Sequence, residues 1–202
     1  MPVSEKKIKA APHKFARKSA IIILQLLGWE VVGSAPSEPK YVMIGYPHTS
    51  NWDVFYGLLI FTALGVRLQW VGKHTLFSGP FGRLIRKLGG IPVNRSRSQN
   101  FVQTVIDLFD KMERLVLVLS PEATRNKSNF WRSGFYHIAS GAHVPVALAF
   151  LDYKNKTGGF GPKFYPSGDM DKDIQICRDF FKGISGKKAQ NAGLIEWKDT
   201  GK

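Results

Sequence analysis

Residues 41–64 read YVMIGYPHTSNWDVFYGLLIFTAL. The opening YVMIG is apolar without a polar alternation, the pattern of a short strand covered on both faces. The strand ends at Gly45, and YPHTSNWD follows. From Asn51 an apolar run of helical length begins, so 51–64 is expected to be a helix with Asn51 or Asp53 close to its first turn. In sheets built from such strand–loop–helix units, sites gather at the carboxyl ends of strands. His48 stands at that place, and Asp53 follows five residues later at the start of the helix. A tight turn can bring the Asp53 carboxylate back to one imidazole nitrogen, which leaves the other for a substrate hydroxyl.

The flanks repeat the unit. Strands are expected over 68–72, 91–93, 115–119 (LVLVL) and 144–150, and an edge strand over 160–165. Helices are expected over 80–88, where Pro80 starts and Gly89-Gly90 stops the segment, and over 98–113, where Phe101, Val105, Leu108, Phe109 and Met112 follow 3–4 spacing. Further helices are expected over 133–140 and 171–181. Strands alternating with helices predict one α/β domain with a largely parallel sheet flanked by helices. The 202 residues suffice for one domain with a real core and are too few for two.

His48 and Asp53 form the base-plus-orienter half of a triad that lacks an enzyme nucleophile. The acceptor's own hydroxyl would then attack. A free histidine, with a pKa of about 6.5, suits general-base work worth about 10²–10⁴ in rate. The spacing by itself is weak, because some His-x4-Asp pair arises by chance in roughly one such sequence in five. The competing account is a helix cap at Asp53 beside a polar loop histidine.

The downstream sequence favours the functional account. WVGKHTLFSGPFGRLIRKLGGIPVNR, then LSPEATR, then HVPVALAF follow HTSNWD. In order and rough spacing these resemble the four blocks of the glycerolipid acyltransferase family, which includes the 1-acyl-glycerol-3-phosphate acyltransferases. The resemblance runs from about residue 29 to 150. It implies that His48 and Asp53 are the catalytic pair. It matches Lys73 to the lysine opening the second block and Arg95 to the arginine closing it. Glu122, Thr124 and Arg125 fall in the third block, associated with holding the acceptor's phosphate and glycerol. Pro145 lies in the fourth, associated with the acyl or donor side. The third block of the family reads Pro-Glu-Gly-Thr-Arg, whereas this chain has Ala123. The extra methyl costs little unless that backbone adopts a positive φ or touches the substrate. The chain is short for the family, which suggests a specialised branch.

The resemblance implies transfer of a fatty acyl group from acyl-CoA or acyl carrier protein to the free hydroxyl of a lysophospholipid, 1-acyl-glycerol-3-phosphate first among them. A different lipid hydroxyl or amine stays open as acceptor. No cofactor and no metal are expected, since no CxxC or HxxxH pair occurs. An arginine fork after a buried strand suits a phosphate; the competing account of Glu122 and Arg125 is a surface ion pair worth about 0–1 kcal/mol. One side of the apolar stretch 54–66 could line an acyl groove, at about 0.8 kcal/mol per buried methylene. The aromatic stretch 129–136 suits either the core or a membrane interface.

Lys and Arg total 29 against 15 Asp and Glu, a formal charge of +14. Between residues 54 and 106 no acid occurs, while Arg67, Lys73, Arg83, Arg86, Lys87, Arg95 and Arg97 do. An anionic partner is expected, but no nucleic-acid motif appears, so an anionic membrane surface is favoured over nucleic acid. A basic N-terminus leads into AIIILQLL (20–27), too short to span a bilayer, which needs about 20 residues. A helix over 14–32 is expected to lie on or dip into a membrane; a core-packed helix and a cleaved signal are the alternatives. The expected plan is 1–34 as a membrane-associating helix, 35–183 as the acyltransferase domain and 184–202 as a polar, loose tail. Peripheral or monotopic placement on the cytoplasmic face of the cell membrane follows, and the lone Cys177 fits a reducing compartment.

Two rivals remain. A non-catalytic binder of anionic lipid or nucleic acid would account for the charge. A serine hydrolase ranks last because no G-x-S-x-G elbow occurs.

Overall fold

A computed structural model describes residues 12–93 and 98–197. Strand β1 (Glu30–Val32), β2 (Lys40–Gly45), β5 (Leu115–Leu119), β6 (Val146–Asp152) and β7 (Thr157–Phe164) form a sheet in the order β1-β7-β6-β2-β5. Strands β3 (Trp70–Lys73) and β4 (Gly90–Val93) form a second parallel pair. It is tied to β5 by Gln69, whose N–H bonds Val116 O and whose carbonyl accepts the N–H of Val118, both at 2.8 Å. Every named pairing is parallel except the β6–β7 hairpin. The expected largely parallel sheet is what forms.

Alternate residues of the central strands feed opposite faces. Val42 and Ile44 of β2, Leu115 and Leu117 of β5, and Val146 and Leu148 of β6 enter one core. Helix α4 (Ser98–Lys111), α5 (Gly134–Gly141) and α6 (Met170–Phe181) cover it through Phe109, Ile138 and Phe181. Tyr41, Met43, Ala147 and Ala149 face the other side, where Phe61 of α2 (Trp52–Ala63) packs. Helix α1 (Lys14–Leu26) joins α2 there, with Ala20 and Leu24 against Ile60 and Ala63. Burial on both faces explains why the strands carry unbroken apolar runs.

The expected helix over 14–32 stops sooner. Gly28 has φ +72°, Gly28 N–H bonds Gln25 O at 3.0 Å and Trp29 N–H bonds Leu24 O at 2.8 Å. This left-handed cap closes α1 and frees residues 30–32 to form β1, parallel to β7. Strand β7 therefore lies inside the sheet, not at its edge. Helix α3 spans only Gly82–Lys87, behind a 3₁₀ turn at His74–Phe77. The expected loose tail is packed as far as residue 197. Trp131 N–H bonds Glu196 O at 2.6 Å, and Trp197 Nε1–H bonds Met170 O at 3.0 Å.

Candidate active site

Strands β2 and β5 lie side by side in parallel, Ile44 opposite Leu119. The loops that leave their carboxyl ends, residues 46–51 and 120–125, are therefore neighbours. The first begins with a cis Tyr46–Pro47 peptide. It then turns so that Thr49 and Ser50 N–H groups bond Asp53 Oδ2 at 2.8 and 2.9 Å. Asp53 thus clamps the loop behind it rather than capping α2 ahead of it.

His48 Nδ1 stands 3.1 Å from the same Oδ2. The histidine side chain is 27% exposed and that of Asp53 6%. A base reachable from solvent is thus held by a carboxylate that is not. Among the described residues the second ring nitrogen, Nε2, has no hydrogen-bond partner. The other Asp53 oxygen, Oδ1, accepts Tyr153 O–H at 2.8 Å. Burial works against ionisation of Asp53. The bonds from His48, the Ser50 N–H and Tyr153 outweigh it, so the carboxyl is held below the usual aspartate range. Burial, with the carboxylate beside it, pushes the Tyr153 phenol up, so it stays a donor.

Glu122 is buried next to this pair. Its Oε2 accepts the His48 backbone N–H at 2.7 Å and its Oε1 that of Gly193 at 3.0 Å. Burial raises its pKa, and the two N–H bonds only partly offset that. The carboxylate is turned onto the loop backbone, away from solvent. Arg125 is exposed and hydrogen-bonds the Asn51 side chain, which brings its guanidinium to the mouth of the loop. Thr124 Oγ1 accepts the Asn126 N–H at 3.2 Å and shapes the turn. Lys73 ends β3 exposed, with no hydrogen bond or ion pair to His48, Asp53 or Glu122. Arg95 lies outside the described residues.

A tetrahedral oxyanion at this site would need free hydrogen-bond donors. The Thr49 and Ser50 N–H groups are already committed to Asp53, and that of His48 to Glu122, so these three are not free for it. Ala123 sits at φ +53°, the left-handed region where its methyl is strained. No group of three or more metal-binding side chains occurs among the described residues.

Two contributors had no motif to announce them. Tyr153 directly follows β6, another parallel neighbour of β2, so the strand-end rule that picks His48 also points to it. Gly193 lies 71 residues from Glu122 and carries no such signal.

The family named Acyltransferase matches residues 30–149, more than half of the chain. Human 1-acyl-sn-glycerol-3-phosphate acyltransferase beta is 32% identical over an alignment of 109 residues that covers 51% of this chain and 39% of that protein. The chain thus spans about two-fifths of the length of the curated relative it matches. The crystal structure of the 1-acyl-sn-glycerophosphate (LPA) acyltransferase PlsC from Thermotoga maritima superposes with a TM-score of 0.55 at 16% identity, covering 86% of this chain and 81% of that one. That likeness is one of fold. With His48, Asp53, Glu122 and Arg125 assembled at the ends of β2 and β5 inside the matched stretch, the chain belongs to the acyltransferase family.

Proposed function

We propose that the chain transfers a fatty acyl group from a thioester, acyl-CoA or acyl carrier protein, to the free hydroxyl of a lysophospholipid, 1-acyl-glycerol-3-phosphate above all. The observation that carries this is the solvent-accessible His48 ring held 3.1 Å from the buried Asp53 carboxylate. Nε2 takes the hydroxyl proton while the oxygen attacks the thioester carbonyl. The imidazolium that forms faces the Asp53 carboxylate, whose depressed pKa keeps it ionised at neutral pH. Collapse of the tetrahedral adduct breaks the carbon–sulfur bond, and the leaving thiolate takes the proton back from Nε2. No acyl-enzyme forms.

Arg125 suits the acceptor's phosphate, since its exposed fork satisfies two oxygens at once. By the family resemblance, Thr124, Lys73 and Arg95 also serve acceptor binding. Glu122 serves the acceptor site indirectly, by holding the loop that carries His48. A hollow of about 160 Å³ beside α2, lined by Leu58, Val66, Leu68 and Leu88 together with the cations Arg67 and Lys87, offers an apolar wall to part of an acyl chain. Val54 and Phe55, exposed one turn before Leu58, continue that helix face towards the start of α2.

We place the protein peripherally on the cytoplasmic face of the cell membrane. Exposed Phe15, Ile22 and Leu26 on α1 and exposed Leu84 beside α3's Arg83 and Arg86 support that reading. No helix among the described residues is long and apolar enough to cross a membrane.

The test incubates a labelled acyl thioester with lysophosphatidic acid and reads lipid products by mass spectrometry. His48→Ala is expected to lower the rate by about 10²–10⁴. Equal product from the wild type and His48→Ala would end the reading. A wild type that acylates only an amine or another alcohol would move the acceptor and keep the mechanism.

A further inference from the structure

Residues 184–197 lie beyond the stretch that matches the family, yet they touch the catalytic loop along its length. Both ends of this segment are moored in the core, Ile184 at one end and Ile195 and Trp197 at the other. Between them the chain hangs across the site. Gly193 N–H donates to Glu122 Oε1 at 3.0 Å, and Glu122 Oε2 holds the His48 N–H at 2.7 Å. The Gly193 carbonyl accepts the Tyr46 hydroxyl at 2.8 Å. Lys188 N–H donates to Thr49 Oγ1 at 3.2 Å. Asn191 Nδ2 bonds the Arg125 carbonyl at 3.1 Å. Lys187 Nζ rests 4.5 Å over the Trp52 ring, next to Asp53.

At Gly186 the approach is so close that a Cβ would lie 2.7 Å from Thr49 Oγ1, 2.9 Å from its Cγ2 and 3.1 Å from Pro47 Cγ. At Gly193 a Cβ would lie 2.4 Å from the Ser128 carbonyl oxygen. The segment therefore presses on the loop on both sides of His48 in sequence, and glycine is what lets it come so near.

We propose that residues 184–197 are a positioning strap that sets the orientation of His48, acting through Gly186 on Thr49 and through Gly193 on Tyr46 and Glu122. The strap touches neither substrate in this proposal. It holds the base at the attitude from which Nε2 reaches the acceptor hydroxyl, and a misplacement of about 1 Å at such a centre can cost about 10²-fold in rate. The proposal rests on the acyltransferase reading for its kinetic consequence and on geometry alone for the orientation of His48.

The experiment uses full-length Gly186→Ala, with Thr49→Ala and the double variant to complete a cycle. Acyl transfer to lysophosphatidic acid is measured for kcat and KM, and the Cε1–H resonance of His48 is followed by NMR. Gly186→Ala is expected to lower kcat about tenfold with KM for both substrates within about twofold, and to move the His48 resonance. Removing the Thr49 side chain from that variant is expected to restore most of the loss, which a general weakening of the fold would not allow. If Gly186→Ala does not fold, Tyr46→Phe replaces it; that variant keeps the ring and deletes the bond to Gly193, and the same changes are expected. An unchanged kcat per folded molecule with an unmoved His48 resonance overturns the strap, whatever happens to the melting temperature. A wild type without any acyl transfer defeats the acyltransferase reading instead, and the strap then stands or falls on the resonance.

Discussion

Asp53 gathers four donors on two oxygens: the His48 ring, the Thr49 and Ser50 N–H groups and the Tyr153 hydroxyl. Only the first belongs to the proposed chemistry; the other three fix where the carboxylate points. Tyr153→Phe leaves the aromatic contacts with Trp29 and Tyr56 in place and removes one charge-assisted bond. Its loss of about 1.5 kcal/mol is expected to slow acyl transfer about tenfold with little change in KM, read from steady-state kinetics. The two buried carboxyls titrate with opposite signs. Asp53, held below its ordinary value, contributes stability that is present above about pH 3.9 and lost as pH falls through its depressed value. Glu122, raised by burial, binds its proton more tightly folded than unfolded. Its ionisation therefore costs stability as pH rises from about 4.3 towards its raised value. Glu122→Gln is expected to remove that cost, so melting temperature should climb more steeply with pH across this window than in the wild type. Parallel melting curves check it, and identical slopes would refute it. The His48–Asp53 pair was legible because it spans one local turn; Tyr153 lies 100 residues from Asp53, and its aim at that carboxylate exists only once β6 is laid beside β2.

At the scale of elements, the strands that read as unbroken apolar runs formed where expected because burial on both faces writes the same message into every residue. The misreadings fell where one residue overrides its neighbours. Gly28 ends α1 early, and the three residues Glu30–Val32 are too short to show a strand period. The packing of residues 184–197 depends on distant contacts that polar composition hides. The turn after β5 gives a sharper case. Ala123, which stands where the family resemblance leads one to expect glycine, has a φ of +53°. Ala123→Gly is expected to stabilise the fold by about 1 kcal/mol, a gain of about 2–4 °C in melting temperature for a chain of this size. Scanning calorimetry decides it. A lower melting temperature would mean that the methyl's contacts, or the loss of backbone freedom it imposes on the unfolded chain, outweigh the strain.

Across the whole molecule, charge and apolar surface are arranged together. Helix α1 spends a narrow edge on the fold, Ala20 and Leu24, and leaves Phe15, Ile22 and Leu26 in solvent. One side of this helix is thus core-packed, and the exposed side is the one the proposed membrane contact would use. Phe81, Leu84 and Leu88 form a second exposed apolar group around α3, beside Arg83, Arg86 and Lys87. Apolar side chains rimmed by cations fit an anionic bilayer, where each fully inserted isoleucine or leucine is worth about 1.5–3 kcal/mol. Ile22→Glu with Leu26→Glu is expected to weaken binding to phosphatidylglycerol vesicles about 100-fold or more, the least that two losses of about 1.5 kcal/mol permit. Both positions are exposed, so the melting temperature should stay close to that of the wild type. Raising the salt should loosen the wild type further, because the basic residues contribute through a screened field. Vesicle sedimentation measures the loss of binding and its salt dependence, and a melting curve checks the stability. Full retention of the double variant on the vesicles, or equal binding to purely zwitterionic ones, would show that this surface does not meet an anionic membrane.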